Sequence, residues 1–121
     1  MTKFSKDHTW VKVENDIGIV GISDYAQKQL KDIVFIEMPE KGKKLEKGKT
    51  AASIESVKSV SDFISPVSCE VTEVNESLKS DPTLINKDSQ DKGWIFKVKI
   101  ENKDELNQLM TEEEYNKSNE T

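Results

Sequence analysis

The chain has 121 residues, which suits one compact domain spanning 1–121, and only 34% of them are apolar, so the core it can bury is modest. The formal net charge is -5, all 18 basic residues are lysine, and they form no cluster, which argues against a nucleic-acid face built on bidentate arginine contacts. Cys69 stands alone, which excludes an internal disulfide, and no apolar run approaches the ~20 residues needed to cross a bilayer. With neither a signal-peptide core nor an arginine-rich amphipathic start, the expected setting is the reducing cytoplasm, away from membranes.

Residues 10–14 alternate apolar and polar side chains, as a half-buried strand does. Asn15-Asp16 is a turn signal, and Ile17–Ile22 supplies the return strand of a hairpin. Gly18 and Gly21 mark either a bulge or a close backbone approach. Ser23 is placed to cap a short helix over Asp24–Leu30, with Asp24 in its first turn. Tyr25, Ala26, Leu30 and Ile33 are expected on its inner side. Residues 33–38 are a β-prone run stopped by Pro39, and 40–49 form a charged loop containing Gly42 and Gly48.

A second hairpin is predicted over 51–64, with strands at 51–57 and Val60–Ile64 and with Lys58 and Ser59 between them. Cys69–Val74 alternates again, Asn75-Glu76 and Ser80-Asp81-Pro82 read as turn and loop, and 94–100 closes the sheet. The segment 102–118 is expected to be helical. Asn102 with Glu105, and Thr111 with Glu114, have the spacing of capping pairs, and Leu106, Leu109 and Met110 form a narrow apolar stripe. Residues 116–121 are polar and expected to fray. Many short strands separated by frequent turns indicate a mainly β sandwich or barrel.

Candidates for catalysis are scarce. His8, the single histidine, sits beside Trp10 and reads as a packed or hydrogen-bonded structural residue. No Cys/His set has metal-ligand spacing, and no phosphate-binding glycine loop is present. Cys69 reads as a buried, inert thiol. Lys58 is different in kind: a lysine at a tight turn between paired strands offers its amine to solvent from a rigid base. Such a base with a flexible acyl arm raises the effective concentration of a cargo near each partner. Acylation also removes the charge, so laying an apolar arm on the protein costs less. The turn by itself does not separate Lys58 from the other surface lysines.

A set of runs in order carries further information: His8-Thr9-Trp10-Val11, Val20-Gly21-Ile22-Ser23-Asp24-Tyr25-Ala26-Gln27, Asp32-Ile33-Val34-Phe35, Glu55-Ser56-Val57-Lys58, Ser65-Pro66-Val67-Ser68, Glu73-Val74-Asn75 and Gly93-Trp94. Together they resemble the H proteins of the glycine cleavage system over nearly the whole chain. Val57-Lys58-Ser59 fits neither the Asp-Lys pair usual in dehydrogenase lipoyl domains nor the Met-Lys-Met of biotin carriers.

The resemblance implies a barrel-sandwich hybrid with the lipoyl lysine at a hairpin tip, a short helix in the first half and short C-terminal helices. It implies lipoic acid in amide linkage to Lys58 and a monomeric, non-catalytic carrier that binds no metal. The carrier would shuttle an aminomethyl group from a pyridoxal-phosphate glycine decarboxylase to a tetrahydrofolate-dependent aminomethyltransferase, and then meet a dihydrolipoamide dehydrogenase for reoxidation. A lipoate ligase or octanoyltransferase would read the hairpin, with Glu55, Ser56, Val57 and Asp62 as expected recognition residues. A groove that shelters the loaded arm is expected at Thr9.

Three positions depart from the common family pattern. Thr9 stands where many members have Glu, Lys31 where Gly is common, and Cys69 where Gly follows Ser-Pro-Val-Ser. If the backbone at Cys69 needs a positive φ, its side chain is strained; if it is ordinary β, nothing is lost. Two other functions remain open on sequence grounds: a carrier that relays acyl groups to other lipoyl domains, and a binding module that is never lipoylated.

Overall fold

A computed structural model describes residues 2–119. The strands form two antiparallel sheets. In chain order they are β1 (Thr2–Phe4), β2 (Thr9–Glu14), β3 (Ile17–Ile22), β4 (Ile33–Glu37), β5 (Lys44–Leu45), β6 (Thr50–Ser56), β7 (Val60–Ile64), β8 (Cys69–Val74), β9 (Phe96–Ile100) and β10 (Met110–Thr111). Helix α1 (Asp24–Leu30) lies between β3 and β4, α2 (Ser77–Ser80) and α3 (Leu84–Asp88) between β8 and β9, and α4 (Glu112–Ser118) follows β10. The larger sheet has the order β10-β1-β2-β3-β9-β8-β5, and the smaller is β4-β6-β7. The fold is thus mainly β, with short helices at the connections and the C-terminal end, as the resemblance implied.

Alternation explains where the core sits. The inward residues of both sheets, among them Val20, Ile36, Ile54, Phe63, Val71, Phe96 and Val98, form one buried cluster. Phe63 of the small sheet meets Phe96 of the large one edge-to-face, with centroids 5.4 Å apart and an interplanar angle of 66°. A second cluster of Phe4, Trp10 and Tyr115 attaches α4 to the first strands. Phe4 stacks on Tyr115 at 4.6 Å, and the Trp10 indole N–H donates to the carbonyls of Ile22 (2.9 Å) and Ser89 (3.0 Å).

Several expectations need correcting. The β2–β3 register is unbroken, so neither glycine makes a bulge there. Gly21 answers to close approach instead: a Cβ there would lie 2.8 Å from the Trp10 ring. Tyr25 is on the outer side of α1, and Gln27 is the residue that α1 buries. The loop 40–49 contains β5, which pairs with β8. The loop around Pro82 contains α2 and α3. The segment 102–118 is a 3-10 helix (Lys103–Gln108), then β10, then α4.

The Thr111–Glu114 capping box forms in both directions. Glu105 does not reciprocate with Asn102. Its carboxylate accepts from the Ser68 N–H (2.7 Å) and the Ser68 hydroxyl (3.1 Å). The residues expected to fray are helical through Ser118, and 120–121 lie outside the described residues. Cys69 has no positive φ, so its replacement of glycine costs no backbone strain. Its thiol is buried, and desolvation pushes its pKa up to about 11, against a smaller opposing effect of the Ser65 hydroxyl. That thiol is inert at neutral pH.

Candidate functional site

Strands β6 and β7 meet at the turn Ser56-Val57-Lys58-Ser59, where the Ser56 N–H donates to the Ser59 carbonyl at 2.8 Å. Two-residue hairpin turns usually take residues with positive φ, supplied by Gly or Asn. Neither Val57 nor Lys58 has one. The turn is held by a side chain instead. The Ser56 hydroxyl oxygen accepts from the N–H groups of Lys58 (3.2 Å) and Ser59 (3.1 Å), and its proton goes to the Ser59 carbonyl (3.1 Å). The Val57 N–H donates outward, to the carbonyl of Asp32 at 2.9 Å.

All of the tip's backbone donors are therefore satisfied, and the Lys58 side chain takes no part in holding the turn. Lys58 is exposed, and none of the ion pairs among the described residues includes it. Its amine is free to react.

The registers place the expected recognition residues. Phe35 pairs with Glu55 and Glu55 with Val60, while Glu37 pairs with Ser53 and Ser53 with Asp62. Paired residues share a face of a sheet. Glu37, Glu55 and Asp62 thus lie together on the outer face, all exposed. A register shift between Ile33 and Phe35 turns two consecutive apolar residues outward, Val34 and Phe35, each 52% exposed. With Val57 at 65% and Val60 at 63%, they surround the tip with exposed apolar surface.

Thr9 is not part of this region. It belongs to the larger sheet and is 1% exposed, and its hydroxyl is bound to that of Ser5 at 2.6 Å. It therefore presents no free hydroxyl to an arm. Its neighbour His8 bonds through Nδ1 to the Tyr115 hydroxyl (2.6 Å), which also meets the Ser23 hydroxyl (2.6 Å). His8 is thus tied to the N-cap of α1 and to α4, the structural role its position suggested.

The backbone leading into β4 contains residues that sequence reasoning did not single out for the site. Lys31 ends α1 with φ 66 and ψ -148, a region that side chains rarely occupy. The Asn86 side chain of α3 grips the following residues. Its carbonyl oxygen accepts from the Ile33 N–H (2.9 Å), and its NH2 donates to the Lys31 carbonyl (2.7 Å) and to the Gln27 amide oxygen (3.1 Å). No local pattern reveals such a residue, because its partners lie 53 to 59 positions earlier in the chain.

Lys31→Gly should stabilise the fold by about 1 kcal/mol, the relief of strain outweighing the extra freedom of glycine in the unfolded chain. A urea titration should show the midpoint rising with an unchanged slope. A lower midpoint would mean that the Lys31 side chain contributes more than its backbone costs.

The β6–β7 hairpin thus holds one exposed lysine at its tip, engaged in none of the ion pairs among the described residues, at the position the resemblance gives to the modified lysine. Comparison with known proteins agrees. The model of the glycine cleavage H-protein family matches residues 2–121. The glycine cleavage system H protein of Bradyrhizobium diazoefficiens is 50% identical over 114 residues, covering 94% of this chain and 93% of the relative. That of Thermotoga maritima is 45% identical over 115 residues, covering 95% and 93%. The crystal structure of a glycine cleavage system H protein from Mycobacterium marinum superposes with a TM-score of 0.90 at 31% identity, covering 98% and 95% of the two chains. The chain belongs to the glycine cleavage H-protein family, whose members are lipoyl carriers.

Proposed function

We propose that this chain is the lipoyl-bearing, non-catalytic carrier of a cytoplasmic glycine cleavage system, with lipoic acid joined by an amide to Lys58 Nζ. The observation that supports this most is the tip itself: an exposed amine on a turn whose backbone donors are all engaged elsewhere. Acylation there breaks no hydrogen bond of the turn, so the residues present fit the group.

When attached, the dithiolane of lipoate supplies a disulfide that can take up a one-carbon unit together with an electron pair. The chain's own residues present that arm. Ser56 fixes the turn from which it leaves. The Glu37, Glu55 and Asp62 carboxylates give the outer face a negative potential that suits a basic docking surface on the lipoate ligase or octanoyltransferase. Val57, directly before Lys58, offers the same enzyme an apolar contact. Thr9 has only an indirect place in sheltering the arm, through the Ser5 bond that holds the chain before Trp10. In that role the chain would carry an aminomethyl group from glycine decarboxylase to the aminomethyltransferase, and would then present the emptied dithiol to dihydrolipoamide dehydrogenase for reoxidation.

Intact-mass measurement on protein from cells with a working lipoylation pathway should show one lipoyl increment, mapped by peptide digestion to Lys58. The lipoylated protein should then accept an aminomethyl group when mixed with glycine and the decarboxylase of its own organism. A wholly unmodified Lys58 under those conditions would sink the reading.

A further inference from the structure

We infer that Asn86 is the positioning residue of the lysine hairpin, acting from α3 through the strained segment 31–33. This inference rests on the proposal that Lys58 is acylated. The geometry forms a continuous chain of bonds. The Asn86 amide holds the Lys31 carbonyl on one side and the Ile33 N–H on the other. Asp32 lies between these two anchors, and its carbonyl receives the Val57 N–H, one residue before Lys58. Every one of these links is between 2.7 and 2.9 Å.

Asn86 suits this task for chemical reasons. A primary amide is both donor and acceptor, and here each role is used: one accepted bond and two donated ones. The backbone it grips needs holding. Lys31 sits in a conformation that costs energy, and such a conformation persists only where its surroundings over-determine it. Ile33 leaves its N–H to the side chain just where the β4–β6 register shifts. Asn86 is itself well placed, because Ile85 beside it is fully buried in the main core.

Removing Asn86 therefore frees the Asp32 carbonyl to wander, and with it the bond to Val57. The β6–β7 ladder remains, since its bonds do not involve the segment. The tip then samples several orientations. An enzyme that must engage Lys58 in one of them sees a smaller competent fraction, which raises its apparent KM more than it lowers kcat.

Amide hydrogen exchange of the unmodified protein, read residue by residue by NMR, provides the first test. In Asn86→Ala the Val57 amide should exchange at least tenfold faster. The Ser56 amide, bonded within the hairpin, should change less than threefold. Asn86→Asp keeps the acceptor for the Ile33 N–H and loses both donors. It serves if the alanine variant folds poorly, and should speed Val57 exchange at least threefold with the same selectivity.

The second test is the kinetics of lipoylation by purified lipoate ligase, where KM for the variant carrier should rise at least fivefold while kcat stays within twofold. Equal acceleration at Val57 and Ser56 would show a general loss of folded protein, which by itself raises the apparent KM, and would overturn the inference; a fall in kcat at constant KM would show that presentation of Lys58 is unaffected and would overturn it too. So would unchanged Val57 exchange. If wild-type protein is never acylated, the functional reading fails, while the exchange result still decides the role of Asn86.

Discussion

Lys58→Ala is expected to eliminate carrier activity completely and to leave the fold as stable as before. No stabilising interaction of the turn depends on this side chain, because Ser56 and Asp32 satisfy the backbone donors around it. Substitutions at exposed positions of this kind shift stability by less than about 0.5 kcal/mol. Activity is another matter, since without the amine no amide to lipoate can form and no other residue at the tip can substitute. Lys58→Arg should fail equally: the guanidinium keeps the charge, but its delocalised nitrogens are poor nucleophiles at neutral pH. The measurements are a thermal melt, intact mass after incubation with lipoate ligase, and glycine-dependent aminomethylation. Retained activity in Lys58→Ala would favour a module that works without the arm.

The hairpins were readable from the chain because they rest on short-range rules. Strands β2 and β3 alternate on either side of Asn15-Asp16, and β6 and β7 on either side of the lysine turn. The place of Glu55 and Asp62 on one face follows from the same period of two. The elements missed are those whose reasons lie far away. Strands β1 and β10 exist because Lys3 pairs with Thr111, and β5 because Lys44 pairs with Glu70. Such short strands, at the sheet edges or next to one, carry no pattern of their own. Helices α2 and α3 are too short to show a stripe, so their loop signals prevailed.

At the site, the lysine was legible only through the ordered runs that resemble a family. The turn chemistry alone, a serine where Gly or Asn would be usual, did not single it out. The outward turning of both Val34 and Phe35 contradicts strand alternation, and only the register shift explains it. Thr9 was expected at the groove for the arm because of its place in a motif; its side chain is buried and its hydroxyl is bonded to that of Ser5. Lys31 stood out only as a departure from the common glycine, and the question of strain fell on Cys69; the φ of 66 places it at Lys31 instead.

The same line of support predicts that Gly93→Ala will be the most damaging of the small substitutions near the site. An added Cβ would sit 2.7 Å from the Leu84 carbonyl oxygen, 2.8 Å from Ile85 Cα and 2.9 Å from the Asp88 carbonyl oxygen. All three are backbone atoms of α3, so no rotamer change can relieve the clash; the helix itself must move. Overpacking of this kind costs about 1–3 kcal/mol, and contact with backbone argues for the upper end. The melting temperature should fall by roughly 10 °C. Because α3 carries both Ile85 of the core and Asn86 of the clamp, the displacement should also weaken the Asp32–Val57 bond in molecules that remain folded. Gly93→Ala should therefore combine a lower melting temperature with faster Val57 exchange measured well below the melt, whereas Gly21→Ala, which presses on the Trp10 ring, should lower the melting temperature and leave the Val57 to Ser56 exchange ratio unchanged. An unaltered melt in Gly93→Ala would mean that α3 can shift freely, and that its hold on the hairpin is weaker than these distances imply.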